Sequence, residues 1–360
     1  FKKRNFGKYF FKKIKSNDNI NVWINSRIEK IIKSEGKDSY RIEKIVSKSV
    51  SGNVLTVKAK NIVICAGALE STRLLLEFDE ENNNCITNKG SPLGNYFSDH
   101  FSINIGTLEP LNFYNLNKEI APVFHKGIMC SPRLELSKKN QRRNKIPSAF
   151  IHFIFLTNGK TFFDFVRDFL RAKQDLRKIS KSYSVSFVLK GFIEMYLMAF
   201  WRYFYKRLRF PQNSKILMQI DFEQFTNINS KLFLTGEVDE FNKKVLGVNW
   251  QLKNEELEGV MRLIKESISF YESSGFQDKA KLVANTQLNI DNFYDVYHPT
   301  GTIKMGDAES NSVVDSDLKL WGCDNLYVSS TAVFPSSGSA NPGMIHLALT
   351  DRLALHLLEK

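Results

Sequence analysis

The run Ile62-Val63-Ile64-Cys65-Ala66, closed by Gly67-Ala68, limits this chain's architecture more than any other stretch. An unbroken apolar run of this length suits a strand buried on both faces, as found where helices cover both sides of a parallel sheet. Leu69 to Phe78 then takes up helical spacing. Strand, tight turn and helix in succession place free backbone amides at a helix start, the geometry in which main chain meets a nucleotide.

Around that unit the pattern divides. Asn21-Val22-Trp23-Ile24 leads into Arg27 to Ile32, Tyr40 to Val50 alternates apolar with polar, and Ser51-Gly52-Asn53 turns the chain into Val54 to Lys60, so residues 20–70 read as strands. Residues 105–290 read as a second region. Lys160 to Arg209 is helix-like, and Ile216 to Phe225, Lys231 to Gly236 and Lys244 to Gln251 alternate like strands of an antiparallel sheet. Asn254 to Gly275 reads as an amphipathic helix. From Asn289 the chain returns to turns and short strands, and it closes with a helix over Pro342 to Glu359.

A chain of 360 residues buries a substantial core and makes one large domain or two. Its net charge of +13 calls for something anionic, whether a membrane surface, nucleic acid or an acidic partner. Cys65, Cys85, Cys130 and Cys323 are scattered without a CxxC pair or metal-ligand spacing, which favours reduced thiols and a cytoplasmic setting and gives no metal site. No stretch reaches eighteen uncharged apolar residues, so no membrane span is expected. The chain opens at Phe1 in a basic and aromatic run with no apolar segment after it, which reads as a truncated start, not a signal peptide. No GxGxxG occurs in the sequence.

The chemistry gathers near the end. His298 stands in the turn His298-Pro299-Thr300-Gly301-Thr302, a loop setting that suits a neutral imidazole acting as a general base, although a lone histidine is more often structural. Phe334 to Gly343 is a Ser/Gly-rich approach to Asn341-Pro342, a favoured N-cap followed by the favoured first helical residue. Ile345, Leu349, Leu353 and Leu357 then form an apolar stripe, so an ordinary capped core helix is the plain alternative. That helix start also offers amides and partial positive charge to an anionic group. His346 and His356 in the last helix read as structural, and His125 and His152 show no supporting neighbours.

Taken in order, these segments resemble the glucose–methanol–choline (GMC) oxidoreductases, which are FAD-dependent. His298 to Gly306 is similar to the family's H-x-x-GT-x-x-MG turn. Val313-Val314-Asp315, Asn325-Leu326-Tyr327-Val328 and Phe334 to Pro342 follow at family-like spacing. Ile62 to Leu76 resembles its A-A-G-A-x-x-S/T-x-x-L-L element, and Ser91 to His100, with Gly94-Asn95 and Asp99-His100, its G-x-N-x-x-D-H segment. The resemblance spans about 340 residues and implies a mixed α/β (α+β) fold. A partial, discontinuous, Rossmann-like FAD-binding domain (1–105 and 290–360) would join a substrate domain of antiparallel sheet and helices (106–289) with a basic-aromatic insertion at 160–210.

By motif position the resemblance makes His298 and Asn341 the catalytic pair. His298 would accept the hydroxyl proton of an alcohol while hydride passes to flavin N5, and Asn341 would hold the developing alkoxide. It places FAD against Ile28, Ala66, Gly67, Ser330, Thr331, Asn341, Pro342, Gly343 and Met344. Ser330 stands where many members carry Asp, replacing a hydrogen bond but not a charge. The missing GxGxxG removes the family's pyrophosphate turn, so these residues by themselves are expected to bind FAD poorly. The implied reaction is dehydrogenation of an alcohol CH–OH group, with the Asn341 variant and the Ser-Gly-Ser-Ala-Asn-Pro run closest to sugar and gluconate-type members. The resemblance names no electron acceptor. An inactive or membrane-associated remnant, and a lyase that keeps FAD as structure, are the competing readings.

The middle region is this chain's own. Lys160 to Arg209 holds twelve Lys/Arg against four Asp/Glu, and Gly191 to Phe210 sets Phe192, Tyr196, Phe200, Trp201, Tyr203, Phe204 and Tyr205 among Arg202, Lys206, Arg207 and Arg209. A solvated helix over the active-site mouth and a helix at an anionic lipid surface both fit this pattern. Nucleic acid is not expected as a partner, because no recognised binding motif accompanies the charge.

Overall fold

The computed structural model describes residues 6–34, 36, 39–175, 185–285 and 292–359. Helix α1 (Phe6–Lys15) buries none of its side chains. Residues 21–24, expected to lead a strand, are irregular and exposed, because the first ladder begins only at Arg27. Strands β1 (Arg27–Lys33), β2 (Ile42–Lys48) and β3 (Val54–Val57) form an antiparallel meander, with a tight turn over Ser49–Asn53 joining the last two.

Strand β4 (Ile62–Ile64) runs into α2 (Gly67–Glu81), as the sequence suggests. Gly67 sits at φ +77°, the left-handed conformation that glycine adopts without penalty. The strand is not buried on both faces, however. Ile62 and Ile64 are buried, whereas Val63 is 37% exposed. The strand pairs on one edge only, parallel to a strand near the end of the chain, and Val63 points away from the core that holds Ile62 and Ile64.

Strand β5 (His100–Pro110) opens the second region. It continues through α3 (Phe113–Ile120), the hairpin β6 (Val123–His125) and β7 (Ile128–Cys130), β8 (Leu134–Glu135), α4 (Lys138–Asn144) and β9 (Ala149–Leu156). Helices α5 (Phe162–Asp175) and α6 (Val185–Phe200) pack on each other, and a single π-turn over Trp201–Tyr205 leads to β10 (Lys215–Glu223). After β11 (Lys231–Val238), β12 (Lys244–Asn249) and α7 (Asn254–Ser273) come β13 (Ala280–Ala284), β14 (Tyr294–Asp295), β15 (Leu326–Val328) and α8 (Gly343–Leu358).

The main sheet is antiparallel, ordered β13-β5-β10-β9-β8, with β14 also on β5. Strands β11 and β12, expected to extend it, make a separate hairpin. The Leu232 N–H donates to the Gly94 carbonyl at 2.8 Å and β11 lies along α2, so the hairpin belongs to the first region. Gly94 allows this approach: a Cβ there would come within 2.6 Å of the Leu232 carbonyl oxygen.

Two cores result. Ile42, Ile62, Ile64, Leu75, Phe78, Val314, Tyr327 and Leu353 belong to one, joining both ends of the sequence. Ile103, Ile105, Ile151, Met218, Ile220, Phe222, Leu263 and Leu116 belong to the other. The expected stripe on α8 holds for only part of its length. Leu353 is buried, and Leu349 and Leu357 pack against the first core, but Ile345 is 59% exposed at the helix start.

Register explains the two faces of the main sheet. Ile220 pairs with Ile103 and Ile151, and Phe222 with Phe101 and Ala149, all directed into the second core. The alternate residues pair as Asp221 with Ser102 and Phe150, and Gln219 with Asn104 and His152. One face is therefore apolar and the other polar, as period-two side chains require.

Candidate active site

The His298 turn is held by main chain. Ser98 and Thr300 exchange backbone hydrogen bonds, the Thr300 N–H reaching the Ser98 carbonyl at 2.8 Å. Gly301, at φ +90°, lies so close to Tyr96 that a Cβ would fall 2.1 Å from its carbonyl oxygen. The Thr331 hydroxyl donates to the Pro299 carbonyl at 2.7 Å, and the Ile303 N–H to the Ala332 carbonyl at 2.9 Å. The two motifs thus run side by side, although some thirty residues separate them in sequence.

The side chains then form a line. The Gly343 N–H donates to Asn341 Oδ1 at 3.0 Å. Asn341 Nδ2 lies 3.2 Å from His298 Nε2, His298 Nδ1 lies 3.4 Å from His100 Nδ1, and His100 Nε2 lies 3.0 Å from the Ser337 carbonyl. His100 is 2% exposed, while His298 is half-buried and Asn341 is exposed. Beneath them, the Asp99 carboxylate accepts the His298 N–H at 2.9 and 3.0 Å and the His100 N–H at 2.6 Å. Burial drives the Asp99 carboxyl up to about 6, with those backbone donors acting the other way. Burial also holds the His298 imidazole below its ordinary value; His100 and Arg133 add to this, and the Asp221 carboxylate opposes it. A half-buried imidazole kept neutral, with a carboxamide at its outer nitrogen, can accept a proton at neutral pH.

The polar sheet face stands near this line. Asp221 Oδ1 accepts from the Ser102 hydroxyl, from Gln219 Nε2 at 2.9 Å and from His152 Nε2 at 3.2 Å. Burial raises the Asp221 carboxyl, but His152, Ser102 and Gln219 outweigh it and hold the group below the usual carboxylate range. His152 therefore has neighbours that the sequence reading did not find, because its partner lies 69 residues away and meets it only through the β9–β10 register. The visible signal was a pair of polar residues, Gln219 and Asp221, inside the otherwise apolar β10. His125 lies exposed on β6, and no metal-binding group of three or more His/Cys/Asp/Glu occurs among the described residues.

The loop 336–341 bolts the two faces together. The Gly338 N–H donates to Glu223 Oε1 at 3.0 Å and the Ser339 hydroxyl meets that of Ser148 at 2.8 Å, both at the end of the main sheet.

The residues expected to hold a cofactor divide by exposure. Ala66, Gly67, Asn341 and Met344 are exposed, Gly343 and Thr331 are half-exposed, and Val63 and Leu69 add open apolar surface. Ile28 is half-buried on β1. Pro342 is buried. Ser330 is 1% exposed, and its Oγ accepts the Ala332 N–H at 3.1 Å, capping a single 3-10 turn. Helix α8 begins at Gly343, with Asn341 Oδ1 on its first amide, one residue later than the sequence suggested. Open space about Gly67 and a helix start with exposed Met344 fit a flat, partly anionic ring system such as flavin.

Residues 230–350, which include the His298 turn and Asn341, match the family model of the GMC oxidoreductase C-terminal domain. That stretch carries the C-terminal domain of the GMC oxidoreductases. Curated GMC-like relatives match in short stretches. Pyridoxine 4-oxidase from Microbacterium luteolum is 51% identical over 53 residues, 15% of this chain and 10% of that protein. C-glycoside 3-oxidase from Microbacterium trichothecenolyticum is 34% identical over 64 residues, 18% of this chain and 12% of that protein. In fold, the chain is similar to the crystal structure of pyridoxine 4-oxidase from Mesorbium loti, at TM-score 0.57 and 13% identity. That match covers 97% of this chain and 60% of the other. The chain therefore spans less than two thirds of the length of the proteins it matches.

Proposed function

We propose that this chain supplies the base and the substrate face of an FAD-dependent dehydrogenase acting on alcohol CH–OH groups. The observation that carries the reading is the 3.2 Å approach of Asn341 Nδ2 to His298 Nε2 at an open site. A substrate hydroxyl that displaces this contact, its oxygen within reach of both atoms, would give its proton to Nε2 and receive a hydrogen bond from Nδ2 as the alkoxide forms. The first turn of α8 and the Ala66-Gly67 turn would hold FAD, which supplies the hydride acceptor when bound. Asp99 fixes the base by its backbone, so the turn does not need to reorganise during proton transfer.

The polar face of Asp221, Gln219, Ser102 and His152 favours a substrate with several hydroxyl groups, a sugar or polyol, over a plain aliphatic alcohol. The similarity to a C-glycoside 3-oxidase supports the same class. The decisive experiment is an anaerobic visible spectrum of the protein, after FAD binding has been verified by its absorbance, with a panel of sugars, polyols and simple alcohols. Bleaching by sugars or polyols is the expected result. No bleaching with any alcohol would leave the lyase or the non-catalytic reading.

A cytoplasmic protein that touches the membrane surface is the accompanying proposal. Phe192, Ile193, Tyr196 and Phe204 are exposed beside exposed Arg202 and Lys206, and no described helix is long and apolar enough to cross a bilayer. Binding to phosphatidylserine vesicles that disappears in R202E/K206E, with none to neutral phosphatidylcholine, is the expected outcome.

A further inference from the structure

We propose that His298 and His100 work as one proton-holding pair, His100 being the second proton site and the positioning residue for the base. The inference deepens the reading above and rests on it for its catalytic meaning. Its physical content stands on the hydrogen-bond line alone.

Each link in that line permits only one polarity. The Ser337 carbonyl can only accept, so His100 Nε2 carries a hydrogen and, in the neutral ring, Nδ1 carries the lone pair. At the other end, Asn341 Oδ1 accepts the Gly343 N–H, which turns the amide nitrogen toward His298. That nitrogen can only donate, so His298 Nε2 carries the lone pair and Nδ1 the hydrogen. The Nδ1–H of His298 then meets the Nδ1 lone pair of His100, 3.4 Å away. Two backbone groups, one at each end, thereby set both tautomers and leave His298 Nε2 unprotonated, its lone pair turned to the Asn341 amide at the open site.

The same line shows where an arriving proton goes. When a substrate O–H breaks, a bond forms at His298 Nε2. The Nδ1–H of His298 can then break as an Nδ1–H forms on His100, and no electrons are gained or lost by either ring. His100 as an imidazolium keeps both hydrogens bonded, one to His298 Nδ1 and one to the Ser337 carbonyl. One extra proton fits the pair once the Asn341 amide turns away from Nε2; a second would set the two ring N–H groups against each other. The charged or titratable groups around the pair are Asp99 before β5, Asp221 and Glu223 on β10, His152 on β9, Asp295 on β14 and Arg133. Asp99 bonds the backbone of both histidines and so lies closest to their shared charge.

The test uses this chain itself, labelled with 15N-histidine, and long-range 1H–15N spectra assigned with His298→Gln and His100→Gln. Expected are the Nδ1–H tautomer at His298, the Nε2–H tautomer at His100, and signals from both rings moving together with one midpoint on acidification. In His100→Gln the amide can keep both bonds but cannot take a proton, so the His298 midpoint should fall by at least threefold in proton affinity. In the FAD-reconstituted enzyme the same variant should slow the reductive step about tenfold at unchanged KM and displace the acidic limb of its pH profile. A purely structural His100 would be rescued by Gln in every respect. An Nε2–H tautomer at His298, or separate titrations of the two rings, would overturn the proposal even if Gln failed to fold. Joint titration with a His298→Ala enzyme of normal rate would instead refute only the catalytic reading.

Discussion

The proposed substrate side and the proposed cofactor side of this molecule are built to different standards of closure. Around His298, both ring nitrogens and the backbone of the turn have partners from this chain, and the turn is fixed by Asp99, Ser98 and Thr331. Across from it, Ala66, Gly67, Met344, Ile345 and Val63 present main chain and apolar side chains to the open. The proposed base is preorganised by short-range hydrogen bonds within the fold, whereas the proposed flavin face presents exposed main chain and apolar side chains. A catalytic group must not move, but a cofactor bed can be completed by what binds it.

The sharpest way to break the comparison is at the base. His298→Ala should lose about 10³-fold in the rate of flavin reduction by substrate while FAD binding is retained, measured by stopped-flow absorbance. A variant of near-normal rate would remove His298 from the chemistry. Next comes Gly301→Ala, whose Cβ would collide with the Tyr96 carbonyl and displace the turn. About 10²-fold in reduction rate is expected to be lost, again without effect on FAD, because a small misplacement of the base suffices. On the open side, Gly67→Ala meets no atom but strains a residue at φ +77°. It should weaken FAD binding by about tenfold and leave the reduction rate of saturated enzyme unchanged.

The last effect is on stability, not on rate or cofactor binding, and concerns Asp99. Its folded carboxyl titrates at about 6, above the ordinary 3.8, so between those values the folded state holds a proton that the unfolded state has released. Rising pH therefore costs stability through this group. Relative to Asp99→Asn, the wild type should lose about 2 kcal/mol as pH rises from 4 to 8, as read by urea denaturation at each pH. A pH-independent difference would mean that backbone donors keep Asp99 ionised throughout.

Legibility in the sequence followed the range of the interactions. His298 and Asn341 could be read because turn and cap chemistry is local, and β4–α2 because a strand, a glycine and a helix are contiguous. Asp99-His100 was visible only as a family segment; nothing within a few residues of His100 indicates that its ring meets His298, 198 residues away. His152 and Asp221 were hidden for the same reason, and the clue lay in polarity inside a buried strand. Val63 misled because an apolar run reports what a strand can bury, and what covers it depends on the rest of the assembly. The β11–β12 hairpin was placed in the wrong sheet because alternation fixes which face is apolar but does not choose the neighbour. Its true neighbour was decided by the closeness that Gly94 permits.

The bolt formed by residues 336–341 has an evolutionary consequence. Gly338 hangs on Glu223 at one end of β10, Ser339 on Ser148 before β9, and two residues later the same loop delivers Asn341 to the base. A change of substrate preference made at the edge of the sheet would therefore reach the reacting groups through three or four covalent steps. Altered selectivity in such a frame should arise through paired substitutions, one reshaping the sheet face and one restoring the loop, with the single-step intermediates slower than either end point.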